Sequence, residues 1–273
     1  MAQPCYRHPD RETGVSCSNC GRPICPECMT STPVGMRCPE CARERTKVTS
    51  GVGQASLGST APATFVLIAI NVVAFLIEVA GGSGGLTVQN SSVVFDFGLF
   101  GPFVAEGEWY RLLTYGFLHA SFIHIGFNMF ALFFLGRLLE PAIGTPRFVA
   151  LYFASLFAGA FGAVLLDPEA LTVGASGAVF GIFGATFLIA RSRGVDALAS
   201  SIGIILVLNL VITFGSDRIS VGGHLGGLAG GALCALVILA GERGMLGEKP
   251  KTMELLAMAA IAFFAVASSI AIA

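Results

Sequence analysis

The sequence predicts an all-α polytopic membrane protein, a bundle of seven helices that follows a small, cysteine-rich N-terminal module. Of its 273 residues, 54% are hydrophobic and only 12% are charged, whereas soluble domains carry about 25% charged residues. Seven of the eight cysteines fall within the first 45 residues. A net charge of -1 leaves no basic excess, so nucleic acid is not an expected partner.

The N-terminal region, residues 1–45, spaces its cysteines as zinc sites do. One C-x2-H pair and three C-x2-C pairs offer eight ligands, enough for two tetrahedral zinc sites. The predicted ligands are Cys5, His8, Cys17, Cys20, Cys25, Cys28, Cys38 and Cys41. Because so short a segment cannot build a sufficient apolar core, metal binding would supply its folding energy. The alternative is a disulfide framework, which a cytoplasmic location disfavours because thiols stay reduced there.

Residues 46–61 are small and polar without periodicity, which is typical of a flexible linker. A spanning helix needs about 20 mainly apolar residues, and seven such segments follow the linker. They are centred on residues 63–79, 117–139, 147–166, 176–190, 197–214, 221–240 and 254–272. The polar start of the chain lacks a secretory signal pattern, so residues 1–45 are expected to stay in the cytoplasm.

Lysine and arginine favour cytoplasmic loops and therefore predict the orientation of the bundle. One set of loops holds only Arg111 and Arg218. The other set holds Arg43, Arg45, Lys47, Arg137, Arg147, Arg191, Arg193, Arg243, Lys249 and Lys251. The protein is expected to be integral to the plasma membrane, with its N-terminus inside and its C-terminus outside. Richness in Ala, Gly and Arg over Lys is typical of a GC-rich bacterium, whose inner membrane is the expected location.

Four polar residues inside the predicted spans are candidates for function, because polar groups are costly in a bilayer. Ser176 begins the fourth span, His224 lies near the start of the sixth, and His124 and Asn128 share one face of the second. The predicted orientation places all four in the outer half of the membrane. From Ser176 to Arg191 the fourth span is only about 22 Å long, so Ser176 lies below the surface, where protein or a water-filled cavity must surround it.

These residue types together indicate nucleophilic catalysis. A serine needs a base to take its proton, and His224 is the best-placed histidine. No Asp or Glu lies at a matching depth, which predicts a Ser–His dyad rather than a triad. The start of a helix offers unpaired N–H groups to an oxyanion, and His124 and Asn128 can add side-chain donors.

Two rows of glycine are expected to let the fourth and sixth spans approach closely, as small residues do in membranes. The rows are Gly177, Gly181 and Gly184 in the fourth span and Gly223, Gly227 and Gly231 in the sixth.

Four motifs follow one another along the membrane region: WYR from Trp109 to Arg111, HIGFN from His124 to Asn128, GASGAVFG around Ser176, and GGHLGGLAGG around His224. They resemble the signatures of rhomboid proteases and stand in that family's order. The resemblance implies a rhomboid-like core of six transmembrane helices in residues 62–241. Residues 242–273 would then form a cytoplasmic loop and one additional C-terminal helix.

The resemblance implies an intramembrane serine endopeptidase in which Ser176 is the nucleophile and His224 the general base. It implies an oxyanion site formed by Asn128, His124 and the backbone of Ser176, with Gly174 as the first glycine of a GxSG motif. The implied substrates are single-span membrane proteins in the lipid bilayer, cut within or next to the transmembrane segment without a catalytic cofactor. One departure is Phe180, where some relatives have a tyrosine stacked under the histidine. Stacking on the ring is expected to survive this change, but a hydroxyl hydrogen bond is not.

The N-terminal module resembles B-box-like zinc fingers. This resemblance implies two structural zinc ions, with the first and third ligand pairs sharing one ion and the second and fourth pairs sharing the other. A cytoplasmic protein is the kind of partner expected for such a module.

Two other classes of function compete with proteolysis. A non-catalytic rhomboid-like protein would bind membrane clients, but such relatives typically lack the serine or the histidine. A small transporter would show inverted internal repeats, which this sequence does not display. Arg111 is interpreted either as a residue that positions the first loop or as a contact to lipid phosphate.

Overall fold

The fold is taken from a computed structural model of the chain, which describes residues 2–32, 35–43, 60–81 and 91–273. The chain forms two compact units, Met1–Gly51 and Val52–Ala273. The predicted linker, residues 46–61, lies outside the described residues except for its last two.

The first unit consists of two short hairpins and one short helix around buried cysteines. Its elements are β1 (Gln3–Pro4), β2 (Glu12–Thr13), a 3-10 turn (Pro26–Cys28), β3 (Thr30–Thr32), β4 (Gly35–Arg37) and α1 (Pro39–Arg43). Strand β1 pairs antiparallel with β2, and β3 pairs antiparallel with β4. One aliphatic side chain, Ile24, is buried together with six cysteines. As expected for so short a segment, the described part of this unit has no ordinary apolar core.

The second unit is a bundle of long apolar helices at the positions predicted. Within the described residues, six helices are long and apolar enough to cross a membrane, and a shorter apolar helix begins at Ser176. These seven helices are α2 (Pro62–Ala80), α6 (Phe122–Ile143), α7 (Thr145–Leu166), α8 (Ser176–Ser192), α9 (Asp196–Phe214), α10 (Val221–Glu242) and α11 (Pro250–Ile272), of which α8 is the shorter one. Between α2 and α6 lie α3 (Ser92–Phe97), α4 (Gly101–Ala105) and α5 (Arg111–Thr114). The predicted fold class is confirmed, and the chain is an integral membrane protein.

The second span begins later than predicted. Residues Tyr115–Phe117 form a separate 3-10 turn, and α6 begins at Phe122. The hydroxyl of Ser121 accepts a hydrogen bond from the N–H of His124 at 3.2 Å, which caps the new helix. Hydropathy alone did not reveal this boundary, because Phe117 and Leu118 extend the apolar stretch toward the helix.

Residues 91–121 fold around the guanidinium of Arg111, which is only 3% exposed. Its Nη1 donates to the carbonyls of Phe95 and Gly98, at 2.7 Å each, and its Nε donates to Glu108 at 2.6 Å. The hydroxyl of Tyr110 and then the side chain of Arg111 donate to Glu108, and these bonds lower the pKa of that carboxyl. Arg111 therefore positions the first loop. This is one of the two roles that the sequence suggested for it.

Helix α10 approaches α8 through its predicted glycine row. A Cβ atom built on Gly227 would lie 2.0 Å from the carbonyl oxygen of Gly177, and one on Gly231 would lie 2.1 Å from that of Gly181. Neither position has room for any side chain. The expected close approach of these two helices is confirmed.

A second glycine row on α10, which was not predicted, faces α7. A Cβ on Gly222 would lie 2.0 Å from the carbonyl oxygen of Gly162, and one on Gly226 would lie 2.2 Å from that of Ala158. The repeated glycine pairs in GGHLGGLAGG are the signal for it, because adjacent glycines point to different sides of a helix. Helix α10 is thus fixed between α7 and α8.

A buried carboxylate on α6 caps the start of α2. Glu140, 1% exposed, accepts hydrogen bonds from the N–H groups of Ala63 and Thr64 at 3.0 and 2.9 Å. It also accepts from the hydroxyls of Thr64 and Thr145, at 2.8 and 2.7 Å. Residues far apart in sequence thereby satisfy two of the free N–H groups at the first turn of α2.

Candidate active site and metal centres

An open cavity of about 1730 Å³ lies at the end of the bundle where α6, α8 and α10 begin. The four polar residues singled out in the sequence, Ser176, His224, His124 and Asn128, all line this cavity, and so does Gly174. Three helices thus bring together residues that are up to about a hundred positions apart in the chain.

The loop before Ser176 is irregular, but its backbone groups are bonded to protein. Leu99 and Thr172 exchange N–H to carbonyl bonds of 3.0 and 2.8 Å, and the N–H of Gly174 donates to the carbonyl of Tyr115 at 2.9 Å. Irregular backbone at membrane depth needs such partners. Helix α8 has 17 residues, against 22 in α7 and α10. The loop therefore places Ser176 at the first position of a short helix, where backbone N–H groups have no intrahelical acceptor.

The imidazole of His224 is held on two sides. Its ring stacks on Phe180, with centroids 4.0 Å apart and planes inclined by 19°. Its Nδ1 lies 2.7 Å from the hydroxyl of Thr213 on α9. The expected stacking on Phe180 is confirmed, whereas the contact with Thr213 was not predicted. Among the described residues, no carboxylate hydrogen bonds to this ring.

No hydrogen bond joins Ser176 to His224 in the part of the chain that the structure describes. Hydrogen bonds between catalytic groups commonly become short and well aligned only in the complex with substrate. The backbones on which they stand are already close, because a Cβ on Gly177 would lie 3.2 Å from the carbonyl oxygen of Gly223.

His124 presents a ring nitrogen to the loop that carries Ser176. The N–H of Ala120 donates to its Nδ1 at 3.4 Å, which leaves the ring proton on Nε2. A Cβ on Gly174 would lie 2.8 Å from that Nε2 and 3.6 Å from the hydroxyl oxygen of Ser176. Gly174 also has a φ of +133°, a conformation that strongly favours glycine. Because its own N–H is bonded to Tyr115, Gly174 contributes space for His124 rather than a donor.

Asn128 lies one turn after His124 and is 6% exposed. Its Nδ2 donates one hydrogen to the carbonyl of His124 at 3.0 Å. An amide nitrogen carries two hydrogens, so one remains for an acceptor in the cavity.

Exposed apolar side chains on α6 and α9 form the sides of the cavity. These apolar side chains are all more than 40% exposed and all line the cavity. They are Phe127, Phe130 and Phe134 on α6 and Ile205, Leu208 and Ile212 on α9. The gap between α6 and α9 therefore connects the polar residues with an apolar exterior.

The N-terminal unit contains two clusters of potential metal ligands. Within each, one atom from every member lies within 4.8 Å of the others. The clusters are Cys5, His8, Cys25 and Cys28, and Cys17, Cys20, Cys38 and Cys41. This is the pairing that the B-box resemblance implies. All eight cysteines of the chain are free thiols, so the disulfide alternative is not what the structure shows.

The spacing within the clusters fits tetrahedral zinc. At a Zn–S bond of about 2.3 Å, two sulfurs of a tetrahedron lie about 3.8 Å apart. Sγ of Cys20 and Cys38 are 3.8 Å apart, and Nδ1 of His8 is 3.3 Å from Sγ of Cys25. The N–H of Cys38 donates to Sγ of Cys17 at 3.3 Å and is the main reason that the pKa of this thiol falls to about 6. Residues His8 and the seven cysteines thus suit a soft divalent ion.

Known proteins are similar to parts of this chain. Residues 106–241 match the Rhomboid domain. Rhomboid protease GluP of Bacillus subtilis (strain 168) is 33% identical over 205 residues, which are 73% of this chain and 39% of GluP. Putative rhomboid protease YdcA of the same organism is 35% identical over 138 residues, 49% of this chain and 69% of YdcA. Rhomboid-like protease 1 of Toxoplasma gondii is 31% identical over 172 residues, 60% of this chain and 57% of that protein. The chain therefore spans between about two fifths and about two thirds of the length of these relatives.

Proposed function

Because this chain belongs to the rhomboid family, we propose that it is an intramembrane serine protease in which Ser176 is the nucleophile and His224 the general base. The observation that carries the proposal is the convergence of Ser176, His224, His124 and Asn128 on one cavity. A serine at a helix start, a neighbouring histidine and two side-chain donors are the parts that acyl transfer requires.

In the proposed reaction, Oγ of Ser176 attacks the scissile carbonyl while Nε2 of His224 takes the hydroxyl proton. The oxyanion that forms is stabilised by the N–H of Ser176, by Nε2–H of His124 and by the free hydrogen of Asn128. His224 then gives its proton to the leaving amine, and the acyl-enzyme forms. A water molecule, deprotonated by His224, attacks the ester carbonyl. The acyl C–Oγ bond breaks, the carboxylic acid product leaves, and His224 returns the proton to Oγ of Ser176.

The proposed substrates are single-span membrane proteins. The gap between α6 and α9 is lined by exposed apolar side chains, such as Phe130 and Leu208, and leads to Ser176. A transmembrane segment can occupy such a surface without exposing its own apolar side chains to water. Cleavage would fall where the segment meets the polar end of the cavity.

We further propose that the catalytic end faces outward and that the zinc module faces the cytoplasm. The excess of Lys and Arg in the loops at the opposite end of the bundle supports this orientation. Zinc, bound as two ions by the eight predicted ligands, would stabilise the fold of the module and take no part in peptide hydrolysis. A cytoplasmic protein remains the proposed kind of partner for it.

The test uses purified protein in proteoliposomes with a fluorogenic single-span substrate. Ser176→Ala should abolish cleavage and labelling by a fluorophosphonate, and His224→Ala should abolish cleavage. Ser201→Ala is the matched control, because Ser201 is exposed on α9 and its hydroxyl bonds only to Ala197 within the described residues. Cleavage by Ser176→Ala would refute the mechanism. Binding of the substrate by the wild type without cleavage would identify a non-catalytic client-binding protein instead.

A further inference from the structure

We infer that Thr213 is a positioning residue that fixes the tautomer of His224 and so leaves Nε2 free to act as the base. This inference rests on the proposed function for its consequence but not for its geometry. Thr213 lies at the end of α9 and is 1% exposed, and His224 is 8% exposed.

The hydroxyl of Thr213 makes two short polar contacts. Its Oγ1 lies 2.7 Å from the carbonyl oxygen of Asn209, one turn earlier on α9, and 2.7 Å from Nδ1 of His224 on α10. Both distances are those of good hydrogen bonds. Each contact therefore needs a proton between its two heavy atoms, because two lone pairs at this distance would repel one another.

Only one arrangement of protons supplies both contacts. The carbonyl of Asn209 has no proton, so the single hydroxyl proton of Thr213 must lie on that side. The proton between Thr213 and His224 must then come from Nδ1. If the hydroxyl instead donated to Nδ1, the contact with Asn209 would hold no proton. The neutral ring is therefore the Nδ1–H tautomer, and its Nε2 carries the lone pair.

This tautomer is the one that the proposed reaction needs. Nε2 must accept a proton from Ser176, and a ring protonated at Nε2 cannot do so. In soluble serine proteases a buried carboxylate holds the histidine in the correct tautomer. A neutral hydroxyl can serve the same purpose without placing a charge inside a membrane bundle, where charge is costly.

The contact also links the base to one side of the cavity entrance. Thr213 lies one turn after Asn209 on α9. Both residues line the cavity together with the apolar residues of the gap between α6 and α9. Phe180 holds the ring from its face and Thr213 holds it at its edge. The orientation of His224 therefore depends on α9 as well as on its own helix.

The first measurement is spectroscopic and needs no substrate. In the ¹⁵N NMR spectrum of histidine-labelled protein, the signal lost in His224→Ala should be that of an Nδ1–H imidazole. Thr213→Val, which keeps the shape but removes the hydroxyl, should shift this signal toward the Nε2–H form. Thr213→Ser should keep it unchanged. An Nε2–H signal for His224 in the wild type would overturn the inference, whether or not the protein cleaves any substrate.

The second measurement is kinetic. Thr213→Val should lower kcat about tenfold, the factor expected for one lost hydrogen bond, with KM unchanged, and Thr213→Ser should restore it. Thr186→Val is the matched control, because the buried hydroxyl of Thr186 makes the same bond one turn back, to Ile182, on α8. Unchanged kcat in Thr213→Val together with an unchanged NMR signal would overturn the inference. Absence of cleavage by the wild type with an Nδ1–H signal would instead refute the proposed protease.

Discussion

The membrane bundle and the N-terminal module are held together by opposite means. In the bundle, three helices approach so closely that glycine positions such as Gly222 and Gly227 have no room for a Cβ, and a broad set of apolar side chains is buried around them. In the module, Ile24 is the one aliphatic residue buried with the cysteines in the described part of the chain. The bundle therefore has a core made by side-chain packing, whereas the module has two clusters of potential metal ligands where such a core would be.

This difference teaches which changes each region can tolerate. Dense packing fails when an atom is added, because nothing nearby can move away. A fold that depends on bound metal would fail when a ligand bond is removed, because little else would hold the chain. The two regions should therefore respond independently, each to its own kind of perturbation.

The largest effect is expected from metal removal. Purified protein should contain two zinc ions per chain, and a strong chelator should unfold residues 1–45, because structural zinc contributes about 10–16 kcal/mol in small modules. Hydrogen exchange measured by mass spectrometry should show loss of protection in the module and none in α6, α8 or α10. Two bound ions with protection unchanged after their removal would show that the module does not depend on metal.

A smaller but still large effect is expected from one added methyl group in the bundle. Gly227→Ala should lower kcat/KM for a single-span substrate about 10²-fold, because a displacement of about 1 Å between Ser176 and His224 has that cost. Zinc content should not change. Gly126→Ala on α6 is the matched control, since nothing lies within 4 Å of a Cβ built there. Wild-type rates in Gly227→Ala would show that close contact of α8 and α10 is not needed for catalysis.

The smallest effect is expected at the ring under His224. Phe180→Leu should slow cleavage about two- to tenfold, the range that stacked aromatic pairs contribute, while Phe180→Tyr should stay near wild type. Steady-state kinetics in proteoliposomes would measure both. A loss in Phe180→Tyr as large as in Phe180→Leu would indicate that the space around the ring, rather than stacking, matters here.

The spans and the convergence of the site were predictable because bilayer thickness imposes a helix length and makes intramembrane polar groups conspicuous. Ser176, His224, His124 and Asn128 stood out for that reason. Thr213 did not, since a threonine near the end of an apolar helix usually bonds to its own backbone. Its contact with His224 depends on the rotation of α9 about its axis, which hydropathy does not determine.

The glycine rows show the same limit. The row facing α8 was predicted from its spacing, but the row facing α7 required knowing which neighbour lies on each side of α10. In the module, the spacing of the ligand pairs indicated zinc. That Nδ1 of His8, rather than Nε2, faces the sulfur of Cys25 follows only from the fold of β1 and β2 around it.

The capping of α2 by Glu140 has a consequence for biosynthesis. The N–H groups of Ala63 and Thr64 are bonded by a carboxylate about 76 residues further along the chain. During translation, the first span therefore leaves the ribosome before its cap has been made. The first turn of α2 can form its final hydrogen bonds only after α6 has entered the membrane beside it. The hydrogen bonding of α2 is therefore completed by the entry of α6 into the membrane, and not by the entry of α2 itself.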